Sequence, residues 1–352
     1  MSRKEFIRDI MYDRSQGWGV GLIKKIFWIF SKIFKGLLFL RTLFFRLGLK
    51  KSYRLSKPVI SVGNLTVGGV GKTPMVIYLA EQIKAMGKRP AILTRGYMQQ
   101  RGSGSDEAQM MLHKLKDVPV IVGADRYYEA TQFLMDDTCD IFILDDGFQH
   151  RRLQRDLDIV LMDATNPWGN GQLIPRGILR EPLTALERAD VIVLTRTDQA
   201  RAQVEAIQRT VHNICPDKLY LESVHAPKGL FDIRTKERWD VEKIKGKSVY
   251  ALSSIAHPVA FERTLMSLGA HIDGASHFLD HHVYGKANIE QLLSDIRFQK
   301  VDCVLTTEKD EPKLERWVRK VTDVPFYSLR IEITLQSGKE ELLGRVAGLL
   351  DR

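Results

Sequence analysis

The chain has 352 residues, 44% hydrophobic and 27% charged, which excludes a disordered protein and leaves room for more than one buried core. Its net charge of +10 calls for an anionic partner, so phospholipid, nucleic acid and phosphorylated substrates are the classes to separate. The three cysteines, Cys139, Cys215 and Cys303, lie far apart without metal-ligand spacing and read as buried thiols in a reducing compartment.

Met1 to Asp13 is charged and no small-residue cleavage site follows the next apolar stretch, so no cleavable leader is expected. Trp18 to Leu49 is rich in Ile, Leu, Phe and Trp, with no uncharged run near the ~18 residues of a spanning helix. At ~100° per residue, Lys24, Lys25, Lys32, Lys35 and Arg46 share one arc of about 100°, and only Arg41 lies well off it. Ile26, Ile29, Phe30, Ile33, Leu37 and Leu40 fill much of the rest. Three readings stand: a helix in the membrane interface, a helix packed on its own domain, and a true span. The wide aromatic arc opposite a cationic one favours the first, with anionic lipid as partner. Nucleic acid is not expected as a partner: it needs no such apolar arc, and no nucleic-acid-binding motif occurs.

Pro58 to Thr73 then reads as strand, glycine loop and helix start. Val59 to Val62 is an apolar strand, and Thr66-Val67-Gly68-Gly69-Val70-Gly71-Lys72-Thr73 is a phosphate cradle running into the helical pattern of Met75, Val76, Leu79 and Ile83. Glycines let backbone N–H groups turn onto phosphate oxygens, Lys72 reaches the β/γ-phosphates and the Thr73 hydroxyl ligates Mg²⁺. The strict pattern has Gly where this chain has Thr66.

Four further apolar strands follow, Arg89 to Thr94, Val118 to Val122, Asp140 to Leu144 and Leu157 to Met162, and a fifth at Val191 to Leu194. This alternation predicts an α/β fold, a P-loop NTPase-like parallel sheet with helices on both faces and ligands at the strands' carboxyl ends. Asp145 and Asp146 sit at such an end, where a carboxylate holds Mg²⁺ opposite the loop threonine; either could be the ligand. Thr195-Arg-Thr-Asp198 departs from the guanine-selecting motif at two specifying positions and reads as a strand exit. Arg95 and Arg126 are either substrate or phosphate contacts or ordinary surface charges.

Asp145-Asp-Gly-Phe-Gln-His-Arg-Arg152, with Gly63 to Thr73, Thr94-Arg-Gly-Tyr97, Asn170-Gly171, Leu179-Arg-Glu-Pro182, Arg188-Ala-Asp190 and Thr306-Thr-Glu-Lys-Asp310, resembles the tetraacyldisaccharide 4′-kinases, the lipid A 4′-kinases of Gram-negative bacteria. The likeness runs from about Pro58 to Pro312. It implies transfer of the ATP γ-phosphoryl group, with Mg²⁺, to an acylated disaccharide 1-phosphate by a peripheral or monotopic protein at the cytoplasmic face of the inner membrane. It also implies that Asp106, in Ser105-Asp-Glu-Ala108, is the catalytic base, partnered by a histidine of Asp280-His-His-Val-Tyr284; His281 is preferred to His282. The likeness implies that Glu107 helps hold the metal. His150 either meets substrate or packs the loop after the metal carboxylate. Without the likeness, Asp106 and Glu107 read as a cap for the helix 108–115, and the two histidines read equally as a functional pair or a solvated turn.

The expected organisation is an N-terminal helix within 1–50, a P-loop domain at 51–216, a linker at 217–245 containing extended strands, and a smaller α/β domain at 246–352. Closure of the two domains would assemble the active site. Two rivals remain: an ATPase of the deviant Walker type, whose signature lysine would stand where this chain has Val67, and a membrane-bound nucleotide switch without transfer activity. Nothing in the sequence specifies the oligomeric state.

Overall fold

The computed structural model describes residues 3–96, 106–280, 282–319, 321 and 324–351. The chain divides into two compact units, 1–224 with 335–352, and 225–334.

In the first unit, helices α1 (Arg3–Met11) and α2 (Trp18–Arg46) precede β1 (Val59–Asn64), α3 (Lys72–Ala85), β2 (Pro90–Thr94), α4 (Asp106–Lys114), β3 (Val120–Val122), α5 (Arg126–Asp136), β4 (Ile141–Asp145), β5 (Leu157–Asp163), β6 (Val191–Thr195), α6 (Arg201–Ile214) and the start of β7 (Leu219–Asp232). The strand order is β7-β6-β5-β1-β4-β2-β3, and every pairing in it is parallel. β1, β2, β4, β5 and β6 bury every residue, so both faces of the sheet are covered, as the continuous apolar runs require. The chain moves to one side of β1 for β2–β4 and to the other for β5–β7. That reversal makes the carboxyl end of β1 the switch point at which such sheets bind ligands.

Helix α2 docks on this unit by one stripe. Ser31 is buried, and Phe34 and Leu38 pack against a core containing Leu65, Phe148 and Leu179. Arg41, off the cationic arc, donates to the Gln149 carbonyl, and Arg151 donates to Thr42 Oγ1 at 3.1 Å. Lys24 turns inward to Asp13 (2.7 Å), which Arg176 also holds at 2.8 Å. Leu22, Ile26, Ile29, Ile33, Leu37 and Leu40 remain more than two-fifths exposed. Packing on its own domain thus describes one side of the helix and leaves the apolar side open. No helix among the described residues is long and apolar enough to cross a membrane.

The segment 217–245, expected as a linker with extended strands, carries the 14-residue strand β7 and the short β8 (Arg238–Trp239), which pairs antiparallel with its second half. The second unit continues with β9 (Ser248–Ser253), α7 (Pro258–Ser267), β10 (His271–His277), α8 (Lys286–Gln299), β11 (Cys303–Thr307), α9 (Glu311–Val318) and β12 (Phe326–Leu335). Its parallel strands run β10-β9-β11-β12. Helix α10 (Lys339–Leu350), assigned by sequence order to the second domain, lies in the first unit. There it buries Leu342 and Val346, and Arg345 donates to the Asp190 carbonyl at 3.1 Å.

Candidate active site

The phosphate loop leaves β1 in extended form. Thr66 makes an antiparallel bridge with Leu179, Val67 N donates to Ile178 O (2.7 Å), and Arg180 N donates to Leu65 O (2.7 Å). Thr66 therefore sits where no positive φ is needed, which removes the physical demand for glycine at that position. The demand falls later, at Gly68 (φ 126) and at Gly71 (φ 94), the residue before α3. Two loop carbonyls are held from β6: Val70 O accepts from Thr195 Oγ1 (3.0 Å) and Gly69 O from Arg196 (2.9 Å). Arg196 is itself paired with the buried Asp163. With its carbonyls engaged there, the loop opens into the N-terminus of α3, where first-turn N–H groups and the helix dipole favour an anion. Lys72 and Thr73 are in that first turn.

Asp145 and Asp146 diverge in one step. Asp145 ends β4 and is buried; Oδ2 accepts from Thr94 Oγ1 (3.3 Å), while Oδ1 has no hydrogen-bond partner among the described residues. Its pKa is pushed up to about 6, by burial first, against Lys72 and with nearby Asp146 and Glu107 adding to the rise. Asp146 adopts φ 50 and meets Arg180 at 2.8 and 3.0 Å and Lys72 at 3.4 Å. Burial would raise its pKa too, but Lys72 and Arg180 prevail and hold the carboxyl well below its usual range. One residue is an ion-pair partner, the other a buried carboxylate with an oxygen to spare.

No group of three or more His, Cys, Asp or Glu residues suited to a metal occurs among the described residues. Mg²⁺ is held by one or two protein oxygens together with phosphates and water. Asp145 Oδ1 is the observation that fits it here: an ionised buried oxygen without a partner is costly unless a cation or donor answers it.

The block after β4 fastens strand ends together. Gly147 N donates to Val62 O (3.1 Å), Gln149 Nε2 donates to Asn64 O (3.0 Å), and Phe148 is fully buried. A Cβ at Gly63 would meet Phe148 Cβ at 2.5 Å, so this close approach needs glycine. Glu181 is gripped by Arg188 (2.6 Å) and Arg151 (3.4 Å), and Arg188 lies over the Phe148 ring at 4.3 Å. His150 Nδ1 lies 3.1 Å from the buried Arg126. Burial first, then Arg126, pushes the imidazole down to about 4, so near pH 7 it is neutral and accepts from Arg126. His150 and Arg126 thus support each other; Arg95, directly after β2, is exposed.

Asp106 and Glu107 form the first turn of α4, where acidic residues complement the helix dipole as well as any other role they have. Glu107 is close enough to act on Asp145. His281 lies outside the described residues. In the second unit His282 stacks on Phe278 (4.4 Å between ring centroids), with Nε2 3.2 Å from Asn288 Oδ1. Asp280 pairs with Lys309 at 2.8 Å. Asp310, fully buried, binds Ser254, Thr307 and Lys313 and fixes the turn from β11 into α9. Residues that sequence reasoning passed over are Asn64, Arg180, Thr195 and Arg196. Asn64 and Arg180 both lay within quoted motifs without a role of their own; Thr195 and Arg196 lay in a segment read as a strand exit.

The chain matches the family described as tetraacyldisaccharide-1-P 4′-kinase over residues 23–348. It is 36% identical over 339 residues to the tetraacyldisaccharide 4′-kinase of Syntrophus aciditrophicus, covering 90% of this chain and 91% of that protein. It is 35% identical over 353 residues to that of Geobacter sulfurreducens, covering 95% and 96%. Among solved structures, the LpxK protein of Aquifex aeolicus, crystallised in complex with ATP, superposes with a TM-score of 0.71 at 28% identity, covering 93% of this chain and 99% of that one.

Proposed function

The chain belongs to the tetraacyldisaccharide-1-P 4′-kinase family, and from that premise we propose that it transfers the γ-phosphoryl group of ATP to the 4′-hydroxyl of a tetraacyldisaccharide 1-phosphate in lipid A biosynthesis. The observation that carries the reading is the juxtaposition of Lys72, at the start of α3, with Asp146 and with the partly orphaned carboxylate of Asp145. Loop N–H groups from Gly68 to Thr73 and the Lys72 ammonium bind the β- and γ-phosphates and stabilise charge on them as the bond to the leaving oxygen breaks. Thr73 and Asp145, with Glu107 beside them, would hold Mg²⁺, which supplies positive charge against the phosphate oxygens. Asp146 keeps Lys72 and Arg180 in register.

A sugar hydroxyl is a poor nucleophile, so its proton must leave as it attacks phosphorus. We assign that proton to Asp106, a step typically worth ~10²–10⁴-fold, and propose His281 as a further catalytic residue. Arg95 and Arg126 are the basic groups offered to substrate phosphate. The exposed apolar and cationic stripes of α2 support binding at an anionic membrane surface, where a substrate with acyl tails must be met; we place the protein at the cytoplasmic face of the inner membrane.

Incubation with γ-labelled ATP, Mg²⁺ and the acylated disaccharide 1-phosphate is expected to yield labelled lipid. Asp106→Ala should lower that turnover by about 10²-fold or more while ATP binding stays near parental. ATP hydrolysis with no labelled lipid would overturn the kinase reading, and unchanged turnover in the Asp106 variant would remove it as the base.

A further inference from the structure

Asn64 is fully buried at the carboxyl end of β1, two residues before the phosphate loop, in a position where a strand has no use for an amide. Its side chain is spent in both directions. Nδ2 donates to the Thr66 carbonyl at 2.8 Å, and Oδ1 accepts from Lys72 Nζ at 3.1 Å and from the Arg180 guanidinium. Its own carbonyl accepts from Gln149 Nε2 (3.0 Å) and Arg180 (3.2 Å). Two cationic donors face one end of the amide and a carbonyl faces the other, so only one amide orientation satisfies every partner.

We propose that Asn64 is a positioning residue of the phosphate loop, one amide that fixes the Lys72 ammonium relative to the loop backbone it serves. Asn alone combines donor and acceptor at this reach. Leucine would leave the Thr66 carbonyl unanswered, and aspartate would turn an acceptor toward it. The brace also answers the missing first glycine. A loop that starts in extended form at Thr66 is held by Asn64 on one side and by 178–180 on the other, and needs no left-handed turn until Gly68.

The inference rests on the phosphate-site half of the kinase reading and is tested apart from lipid transfer. In the nucleotide-free full chain, Asn64→Ala is expected to raise acylation of the Lys72 amine by a small water-soluble reagent, relative to the other lysines in the same mass spectrum. Titration with ATP and Mg²⁺ should show affinity reduced about tenfold or more, the scale of losing a hydrogen bond to a charged group. Asn64→Asp keeps the acceptor and fills the same volume; it should lower Lys72 labelling below parental, because the added carboxylate holds the ammonium protonated, and still weaken ATP binding through the lost contact to Thr66 and the added negative charge. Should the alanine variant not fold, the aspartate variant carries the test by the same two readouts. Parental labelling and affinity in Asn64→Ala, or parental affinity in Asn64→Asp, would overturn the proposal. Failure of the parental protein to bind ATP would instead overturn the kinase reading, with the labelling comparison still deciding whether Asn64 restrains Lys72.

Discussion

At Asp146 the backbone enters the left-handed region, and the carboxylate meets Arg180 and Lys72, while Asp145 keeps the extended geometry of β4 with one oxygen unpartnered. Two identical side chains, adjacent in sequence, therefore titrate in opposite directions. Asp145 keeps its proton in the folded protein up to about 6, against an ordinary value of 3.8. The folded state then binds more protons than the unfolded one across that interval. This contribution to nucleotide-free stability is present at low pH and is lost as pH rises through about 6. Asp146 runs the other way: its stabilisation is present above the ordinary 3.8 and is lost as pH falls toward its depressed folded value. As the proposed Mg²⁺ ligand, Asp145 must be ionised to bind the metal. The expected profile of Mg²⁺-dependent kcat/KM for ATP thus rises about tenfold per pH unit below pH ~6 and levels above it. Asp145→Asn should be slower by about 10²-fold and lose that limb of the profile. A parental slope retained in the asparagine variant would show that another group governs the acid limb.

Strands β1, β2, β4, β5 and β6 were legible because each is buried on both faces and writes itself as an unbroken apolar run. The first half of β7 alternates, with Leu219, Leu221 and Ser223 buried between half-exposed neighbours, and Pro227 and Gly229 interrupt the later part, so it resembled a linker. Helix α6 carries one apolar stripe, Val204, Ile207, Val211 and Ile214, packed on the core beside the strands. In the site, the loop and Asp145 could be read because phosphate chemistry uses contiguous backbone. Arg180 and Arg196 could not, because they reach Asn64 and Gly69 across 116 and 127 residues. Helix α2 divides the same way: its apolar and cationic arcs were visible, whereas the stripe of Ser31, Phe34, Leu38 and Arg41 is defined only by what it packs on. That division makes the membrane proposal separable by mutation. Ile33→Glu with Leu40→Glu should cut co-sedimentation with vesicles of anionic and zwitterionic phospholipid by tenfold or more, since each buried aliphatic is worth about 1.5–3 kcal/mol. The melting temperature should hold because both side chains are solvent-facing. Leu38→Ala should do the reverse, lowering stability with vesicle binding retained. Undiminished co-sedimentation of the double variant would exclude this face as the lipid-binding one.

The chain leaves the first unit along β7, builds the second, and returns along β12 to finish the first with α10. The ATP-binding unit therefore depends on residues from the far end of the sequence. The return is pinned where it arrives: Gln336 N donates to Glu222 O at 2.7 Å, and Ser337 Oγ accepts from Glu222 N at 3.3 Å. Gly338 takes φ 66 immediately before α10, against Leu221, and a Cβ there would meet Leu221 Cδ2 at 2.0 Å. Leu342 and Val346 then bury completely. Removing one such side chain typically costs about 2–5 kcal/mol, the lost transfer energy plus the cavity left behind. Leu342→Ala should thus lower the denaturant midpoint at which bound fluorescent ATP is released, although it touches neither nucleotide nor loop. Leu314→Ala, an equally buried leucine of the second unit, removes the same volume from a different core. The two variants report on the organisation directly. If the C-terminal helix is part of the nucleotide-binding core, the release midpoint falls further in Leu342→Ala than in Leu314→Ala. An equal or smaller fall would mean that this core holds together without it.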